Sequence, residues 1–369
     1  MIPCLDEKTT LNLTHTPCRT MIRPIDPPQF LNKVKQFPVI DVRSPGEFAQ
    51  GHIPGACNIP LFTDAERAVV GTLYVQSGRE DAIQKGLDFG LSKTGWYLKT
   101  LRKIAVPGNI LLHCWRGGLR SAMMAEVFNK AGYDVELLNG GYKAYRRFIR
   151  ESLSAKANIV VLGGFTGSGK TDLLHAIKEK GEQVIDLEGL ASHKGSVFGA
   201  LGQPPQPSNE QFENSLYSRW SELDLSGLVW VEDESRMIGR VTLPDPTVEH
   251  ISNGMLIKIE MDITVRINRM VREYAGFDPQ SLADAITRIG ERLGGSRTKE
   301  ALSALENKRF AEVAAIALSY YDKAYLFSMA RRKSKKIHEF PIFGENLVEE
   351  AGRIIEFAYK YCEYGNDIP

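Results

Sequence analysis

Two stretches of this chain hold the residue types that do chemistry. In His113-Cys114-Trp115-Arg116-Gly117-Gly118-Leu119-Arg120 a cysteine ends the apolar run Ile110-Leu111-Leu112, and two glycines and an arginine follow before a helical pattern begins. Such a strand delivers a sulfur into a tight loop whose backbone N–H groups turn inward, and the next helix N-terminus and the guanidinium add positive potential. These surroundings lower a thiol pKa and expose a nucleophilic thiolate. Cys114 and Arg120 are the candidate catalytic residues, and Trp115, Arg116, Gly117, Gly118 and Leu119 form the candidate anion cradle. A cysteine alone before a Gly turn reads as a packing residue; the residues after Cys114 reverse that reading.

The second stretch, Gly164-Phe165-Thr166-Gly167-Ser168-Gly169-Lys170-Thr171, fits G-x-x-x-x-G-K-[ST] between an apolar strand and a helical pattern, the context that a phosphate-binding loop requires. Gly164, Gly167 and Gly169 let the backbone wrap a phosphate. The loop N–H groups, those of Thr166 and Ser168 included, point inward, and Lys170 brings a mobile charge. Thr171 can hold Mg²⁺ where that ion is present. Further on, Val229-Trp230-Val231-Glu232-Asp233-Glu234 resembles a Walker B strand. Asp233 is a candidate contact to the metal or its waters and Glu234 a candidate base, although an ordinary acidic strand end has the same composition. The loop grips a diphosphate whatever is attached to it, so the motif alone does not imply nucleotide hydrolysis.

The elements that must position these loops read as two α/β alternations. Residues 1–22 are polar, Thr-rich and aperiodic, a flexible lead-in. Strands are expected at Pro38-Val39-Ile40-Asp41-Val42, at Asn109-Ile110-Leu111-Leu112-His113 and at Asp134-Val135-Glu136-Leu137-Leu138. A basic amphipathic helix follows over Tyr142 to Arg150. The second alternation places strands at Asn158-Ile159-Val160-Val161-Leu162, Gln183-Val184-Ile185-Asp186-Leu187, Leu228-Val229-Trp230-Val231-Glu232 and Met255-Leu256-Ile257-Lys258-Ile259. Gly202-Gln203-Pro204-Pro205-Gln206-Pro207 is too Pro-rich for either element and reads as a loop. Residues 265–331 are mostly helical and rich in Arg and Lys, and a short strand, Lys336 to Phe340, precedes a last helix.

Bulk composition bounds the partners. The 369 residues suffice for two domains with cores of their own. Hydrophobic residues make up 43% and charged ones 25%, as in ordinary soluble proteins. A formal net charge of +1 leaves any nucleic-acid binding to local basic patches. The five cysteines are scattered and lack C-x-x-C pairing, which argues against a disulfide framework and against a structural zinc site, so no protein-bound metal is expected. A reducing cytoplasm fits best. The N-terminus lacks a secretory pattern, no apolar run is long enough for a bilayer, and no membrane partner is expected.

Asp41-Val42-Arg43-Ser44-Pro45-Gly46-Glu47-Phe48, followed by Gly51-His52-Ile53-Pro54-Gly55-Ala56-Cys57-Asn58-Ile59-Pro60, resembles the upstream signature of rhodanese-like domains. The resemblance covers most of residues 25–145. It implies that Cys114 stands at the C-terminal end of a central parallel strand and handles sulfur or selenium. One departure matters: Arg120 falls one position later than the arginine of typical sulfurtransferase loops. The stretch therefore also fits H-C-x5-R, the loop length of tyrosine and dual-specificity phosphatases. A longer loop leaves room for a tetrahedral anion, phosphate or selenophosphate, with Arg120 as its bidentate clamp.

A rhodanese-like domain containing Cys114-Trp115-Arg116-Gly117-Gly118-Leu119-Arg120-Ser121, fused to a P-loop domain, resembles the tRNA 2-selenouridine synthase family over nearly the whole chain. The Glu234-Ser235-Arg236 and Arg292-Leu293-Gly294-Gly295-Ser296-Arg297 segments belong to the match. The fold expected is α/β: a rhodanese-like parallel-sheet domain with its connecting helix over 23–150, then a P-loop NTPase-like domain over 151–369 with a helical, basic C-terminal part. The resemblance implies that wobble 2-thiouridine of tRNA is S-geranylated with geranyl diphosphate and that selenium from selenophosphate then displaces the geranylthiol. No tightly bound cofactor is expected, and Mg²⁺ stays open. Which anion occupies which cradle is not given by the motifs.

A tRNA partner needs basic surface. Arg266, Arg269 and Arg272 recur at helical spacing, Arg297 lies in the glycine-flanked segment, and Arg331 and Arg332 open a cluster running to Lys336. Arg146, Arg147 and Arg150 form another. A solvated face reads the same way for each. Trp115 and Tyr142 are candidates to stack on a splayed base, although Trp115 also fits against its own loop. His113 reads as a hydrogen-bonded scaffold residue and Cys57 as core; Cys4, Cys18 and Cys362 have no motif around them. Two rivals stand: a rhodanese-fold cysteine phosphatase, and a non-catalytic P-loop protein that binds RNA or nucleotide.

Overall fold

The computed structural model describes residues 21–332, 336–342 and 346–364. They divide into two units, one of residues 21–48 and 55–145, the other of 49–54 and 146 onward. Each is built on a five-stranded parallel sheet, so the α/β expectation holds in both.

In the first unit β1 (Ile22–Ile25), β2 (Val39–Asp41), β3 (Cys57–Asn58), β4 (Asn109–His113) and β5 (Asp134–Leu138) lie in the order β1-β5-β4-β2-β3. β1 begins at Ile22, and residues 1–20, with Cys4 and Cys18, lie outside the described residues. β4 is central because Ile110, Leu111 and Leu112 are buried on both faces, as strands between two helical layers must be. Its C-terminal end is therefore the end at which a loop can meet a ligand. Three helices (Asp64–Gln76, Arg79–Leu91 and Thr94–Ile104) fill the connection from β3 to β4. The first opens on a capping box between Thr63 and Glu66.

The loop after β4 interlocks with the turn after β5 through two glycines. Gly117 (φ 66°) and Gly141 (φ 62°) approach so closely that a Cβ on Gly141 would lie 2.4 Å from the Gly117 nitrogen and 2.5 Å from the Cys114 carbonyl oxygen. Both atoms are backbone and cannot step aside. Gly141→Ala is expected to cost roughly 3 kcal/mol or more, from left-handed strain plus the collision. Thermal melting should register it as a fall of about ten degrees, and an unchanged melting temperature would show that the loops are not locked.

In the second unit β6 (Asn158–Gly164), β7 (Gln183–Ile185), β8 (Leu228–Glu232), the antiparallel pair β9 (Met237–Ile238) and β10 (Val241–Thr242), β11 (Met255–Glu260) and β12 (Ile337–Pro341) follow one another. The sheet order is β12-β11-β6-β8-β7. β6, which delivers the phosphate loop, is flanked by β11 and β8. β7 ends two residues earlier than its sequence pattern implies. Asp186 accepts from the Gly189 N–H at 2.6 Å and caps the short helix Leu187–Ala191, which turns the chain out of the sheet. That turn decides where Glu188 lies. The 202–207 segment is neither helix nor strand.

The basic stretch after β11 folds as a helical layer: Ile263–Tyr274, Pro279–Arg288, Gly290–Leu293, Gly295–Glu306 and Phe310–Met329. It has its own apolar cluster, including Met270, Leu282, Ile286, Ala304 and Leu318. The C-terminal helix Leu347–Tyr364 buries Ala351, Ile354 and Ala358 in the cluster that holds Leu173, Leu174 and Ile177 of the helix Lys170–Glu179. Among the described residues no helix is long and apolar enough to cross a membrane.

Candidate active sites

Cys114 follows β4 into a loop that closes on the helix Leu119–Lys130. Its sulfur lies 3.3 Å from the Ser121 hydroxyl, which donates to the Gly118 carbonyl at 3.0 Å. Cys114 is only 2% exposed, whereas Arg116, Gly117, Gly118 and Leu119 face solvent. The exposed thiolate expected from the sequence is thus corrected: the sulfur forms the floor of the loop, because the strand end places it level with the core. The loop carbonyls are turned away. Tyr142 N–H donates to the Cys114 carbonyl at 2.8 Å and Lys143 N–H to that of Trp115 at 2.9 Å. Since C=O and N–H point opposite ways across a trans peptide, the Trp115 and Arg116 N–H groups face away from the helix Gly141–Ser152.

A buried polar network braces the strand end. Arg43, 0% exposed, is held by Asp41, with Nε 3.1 and 3.0 Å from the two carboxylate oxygens and Nη2 at 2.6 Å. The Arg43 guanidinium lies 3.7 Å from the centre of the Tyr142 ring, on which His113 also stacks. Burial pushes the Asp41 carboxyl up, but His113 and Arg43 outweigh it and hold the group below its usual range. Tyr142 is completely buried, which removes it as a platform for a nucleobase; it is the shelf for Arg43 and His113. Trp115 is half-buried with its ring 5.8 Å from that of Tyr142, so it packs against the first turn of the helix Gly141–Ser152.

Arg120 does not stand open as a clamp. Its Nη1 donates to Glu47 Oε2 at 2.7 Å and its Nη2 to Oε1 at 3.4 Å. Burial raises the Glu47 carboxyl, and Arg120 more than offsets this, leaving a charged pair. An anion above Cys114 has to share the guanidinium fork with Glu47.

In the second unit Gly167 and Gly169 adopt φ 79° and 78°, which curl the phosphate loop. Ser168 is 1% exposed within it. Lys170 Nζ donates to the Gly164 carbonyl at 2.9 Å, folded over its own loop. A cleft of about 860 Å³ opens there, lined among others by Thr166, Lys170, Thr171, Arg269 and Arg272.

Thr171 Oγ1 donates to Glu188 Oε2 at 2.8 Å, and Glu188 is hydrogen-bonded to Glu234. Burial first, then Glu188, push the Glu234 carboxyl up to about 8; Glu188 is raised by burial as well. The pair therefore shares a proton at neutral pH. Thr171, Glu188 and Glu234 form the oxygen-only donor set that Mg²⁺ takes, so these residues fit that ion. Asp233 does not fit as expected, because Arg332 Nη1 holds it at 2.5 Å and the Tyr325 hydroxyl lies 3.4 Å away. Glu188 carries no signal in the sequence, since no linear spacing relates it to the phosphate loop.

The shared proton has a consequence for stability. The folded protein retains it between the ordinary carboxyl range and about pH 8, where the unfolded chain has lost it. Stability therefore falls as pH rises through that window. Glu234→Gln, which cannot titrate, should melt several degrees above the wild type at pH 9 and close to it at pH 4. Parallel melting curves at the two pH values would refute this.

The candidate RNA-binding arginines separate. Arg266 is 3% exposed; its Nε donates to the Thr166 carbonyl at 2.9 Å and its fork binds Asp322, so it braces the phosphate loop from behind. The Arg332 side chain is 8% exposed and also binds the Ile251 carbonyl. Arg146 is buried on Glu213 and Asn214. These three are internal, a correction with one cause: each guanidinium is neutralised by a carboxylate, Asp322, Asp233 or Glu213, that meets it from a distant segment. Arg269 pairs with Asp172 and lines the cleft with Arg272. Arg297 is exposed beside Ser319, and Arg331 is exposed over the Phe327 ring. Residues 333–335 of the last cluster lie outside the described residues.

A family model described as a rhodanese-like domain matches residues 26–148, and one described as the tRNA 2-selenouridine synthase AAA domain matches residues 157–341. The tRNA 2-selenouridine synthase of Nitrosomonas europaea is 34% identical over 352 residues, covering 81% of this chain and 91% of that protein. The chain belongs to the tRNA 2-selenouridine synthase family. The synthase of Cupriavidus necator is 36% identical over 337 residues, covering 80% of this chain and 89% of the relative. Among solved structures, a rhodanese-related protein from Thermoplasma volcanium is 20% identical, covering 34% of this chain and 92% of its own, with a TM-score of 0.22. Both loops described above fall inside the matched regions of this chain.

Proposed function

We propose that this protein replaces the 2-sulfur of tRNA wobble 2-thiouridine by selenium, in two steps that use its two anion loops. The P-loop cleft takes geranyl diphosphate and the Cys114 loop takes selenophosphate. The observation that carries this reading is the phosphate-loop cleft of about 860 Å³ in a chain of this family that also holds a second anion loop.

In the first step the 2-sulfur attacks C1 of the geranyl group, the C–S bond forms, and the C1–O bond breaks. The leaving diphosphate is received by loop N–H groups and by Lys170, which turns from the Gly164 carbonyl toward it. Mg²⁺ held by Thr171, Glu188 and Glu234 supplies further charge neutralisation when bound. In the second step selenium attacks C2, the C2–S bond breaks, and the geranylthiolate leaves and takes a proton. Arg120 and the loop amides grip the phosphoryl oxygens. Cys114 sulfur then takes the phosphoryl group, forming S–P as Se–P breaks, and water returns thiol and phosphate. The H-C-x5-R length suits that last transfer.

Exposed Arg297 and Arg331, with the arginines at the cleft, are the candidates for the tRNA backbone, and the cytoplasm is the compartment that this substrate implies. The test is nucleoside mass spectrometry on 2-thiouridine tRNA incubated with the protein, geranyl diphosphate and selenophosphate. Absence of both geranylated and selenated nucleosides would sink the reading. Turnover of an aryl phosphate without tRNA would favour the phosphatase instead.

A further inference from the structure

The phosphate-loop end of the cleft is lined by charged and polar groups such as Lys170, Thr171, Glu188 and Arg269. Met270, Tyr274, Tyr321 and Ala324 give the cleft an apolar side along which a hydrocarbon attached to a bound diphosphate can run. Beside it lies an apolar pocket among the helices Ile263–Tyr274, Pro279–Arg288, Gly295–Glu306 and Phe310–Met329. Met270 and Tyr274 line both spaces, so cleft and pocket share a wall. That wall reaches the phosphate loop itself: a methyl group on Gly167 would meet Met270 Cγ at 3.2 Å. Beyond it the lining is uniformly apolar, with Leu282, Leu305 and Phe310 set against the small side chains of Ala314 and Ala317.

We infer that this pocket receives the isoprenoid tail of the diphosphate donor, with Met270 as its door. The inference rests on geranyl diphosphate being the donor, as proposed above. The pocket now encloses only about 30 Å³, too little for a geranyl chain. Met270 is the residue suited to yield, because an unbranched thioether has several rotatable bonds and low rotamer barriers. Tail burial against Leu282, Leu305 and Phe310 drives the opening, since apolar surface leaves water on both sides. The diphosphate end then stays at Lys170 while the tail runs past Gly167 into the helical layer. Alanines at 314 and 317 set the depth, and hence the length of tail accepted.

Calorimetric titration of the full-length protein without tRNA separates the possibilities, using inorganic diphosphate, geranyl diphosphate and farnesyl diphosphate. The wild type should bind geranyl diphosphate at least tenfold more tightly than inorganic diphosphate. Ala314→Leu, which fills the pocket, should erase most of that preference while leaving the affinity for inorganic diphosphate within about twofold. Phe310→Ala, which widens it, should raise the farnesyl-to-geranyl affinity ratio at least fivefold. A wild type without preference for geranyl over inorganic diphosphate would overturn the donor assignment itself. A wild-type preference that survives both substitutions would overturn the pocket assignment alone. Should Ala314→Leu lose inorganic diphosphate as well, through overpacking, the gain or lack of gain in Phe310→Ala decides.

Discussion

Cys114→Ala should form 2-selenouridine at least about a hundredfold more slowly than the wild type, while the tRNA is still geranylated and the nucleoside whose selenium keeps its phosphoryl group accumulates. A catalytic nucleophile is ordinarily worth that much or more. The substitution removes only the sulfur, which is 2% exposed and 3.3 Å from Ser121, so the β4 end and the helix Leu119–Lys130 keep their supports. The amides of Tyr142 and Lys143 still hold the loop carbonyls, and the Arg120–Glu47 pair is untouched. Geranyl transfer belongs to the other unit and should stay within a few-fold of normal. Mass spectrometry of digested tRNA reads both products from one reaction. Full selenation by Cys114→Ala would remove the sulfur from the mechanism.

Lys170→Ala should do the converse. Stabilising the charge that develops on a leaving diphosphate is a transition-state task, and loss of one preorganised donor ordinarily costs about a hundredfold in rate, roughly 2.7 kcal/mol. The wild-type ammonium rests on the Gly164 carbonyl at 2.9 Å and on the Phe165 carbonyl at 3.4 Å, so it is poised over the loop before a ligand arrives. Supplied with tRNA that is already geranylated, the variant should selenate at the wild-type rate. Equal loss on both substrates would mean that Lys170 supports the fold of the unit. A geranylation rate within threefold of the wild type would exclude it from the first step.

The parts of both sites that are contiguous along the chain are legible in the amino-acid sequence alone. The Cys114 loop and the Gly164–Thr171 loop each lie in one short segment between a buried strand and a helix, and strand burial, glycine conformations and helix starts are local properties. The elements that carry them are legible for the same reason. The pattern overextends β7 because Asp186 continues the strand run by position yet acts as a helix cap. Charge is the poorest guide. Arg266, Arg269 and Arg272 share one helical pattern, yet Arg266 braces Thr166 from inside whereas Arg269 and Arg272 face the cleft. Arg332 reads as the head of a basic surface cluster and is the partner of Asp233.

By itself, then, the sequence determined the family, the two loops and the chemistry that each can support, because spacing along the chain constrains a backbone that wraps an anion. Tertiary structure decided which charges are available. It neutralised Arg120 with Glu47, set Glu188 against Glu234 so that one proton is shared, and laid an apolar pocket against the phosphate loop through Met270. Those outcomes depend on which distant segments meet and on how much water they exclude, and ion pairing and burial act through space with no regard to order along the chain.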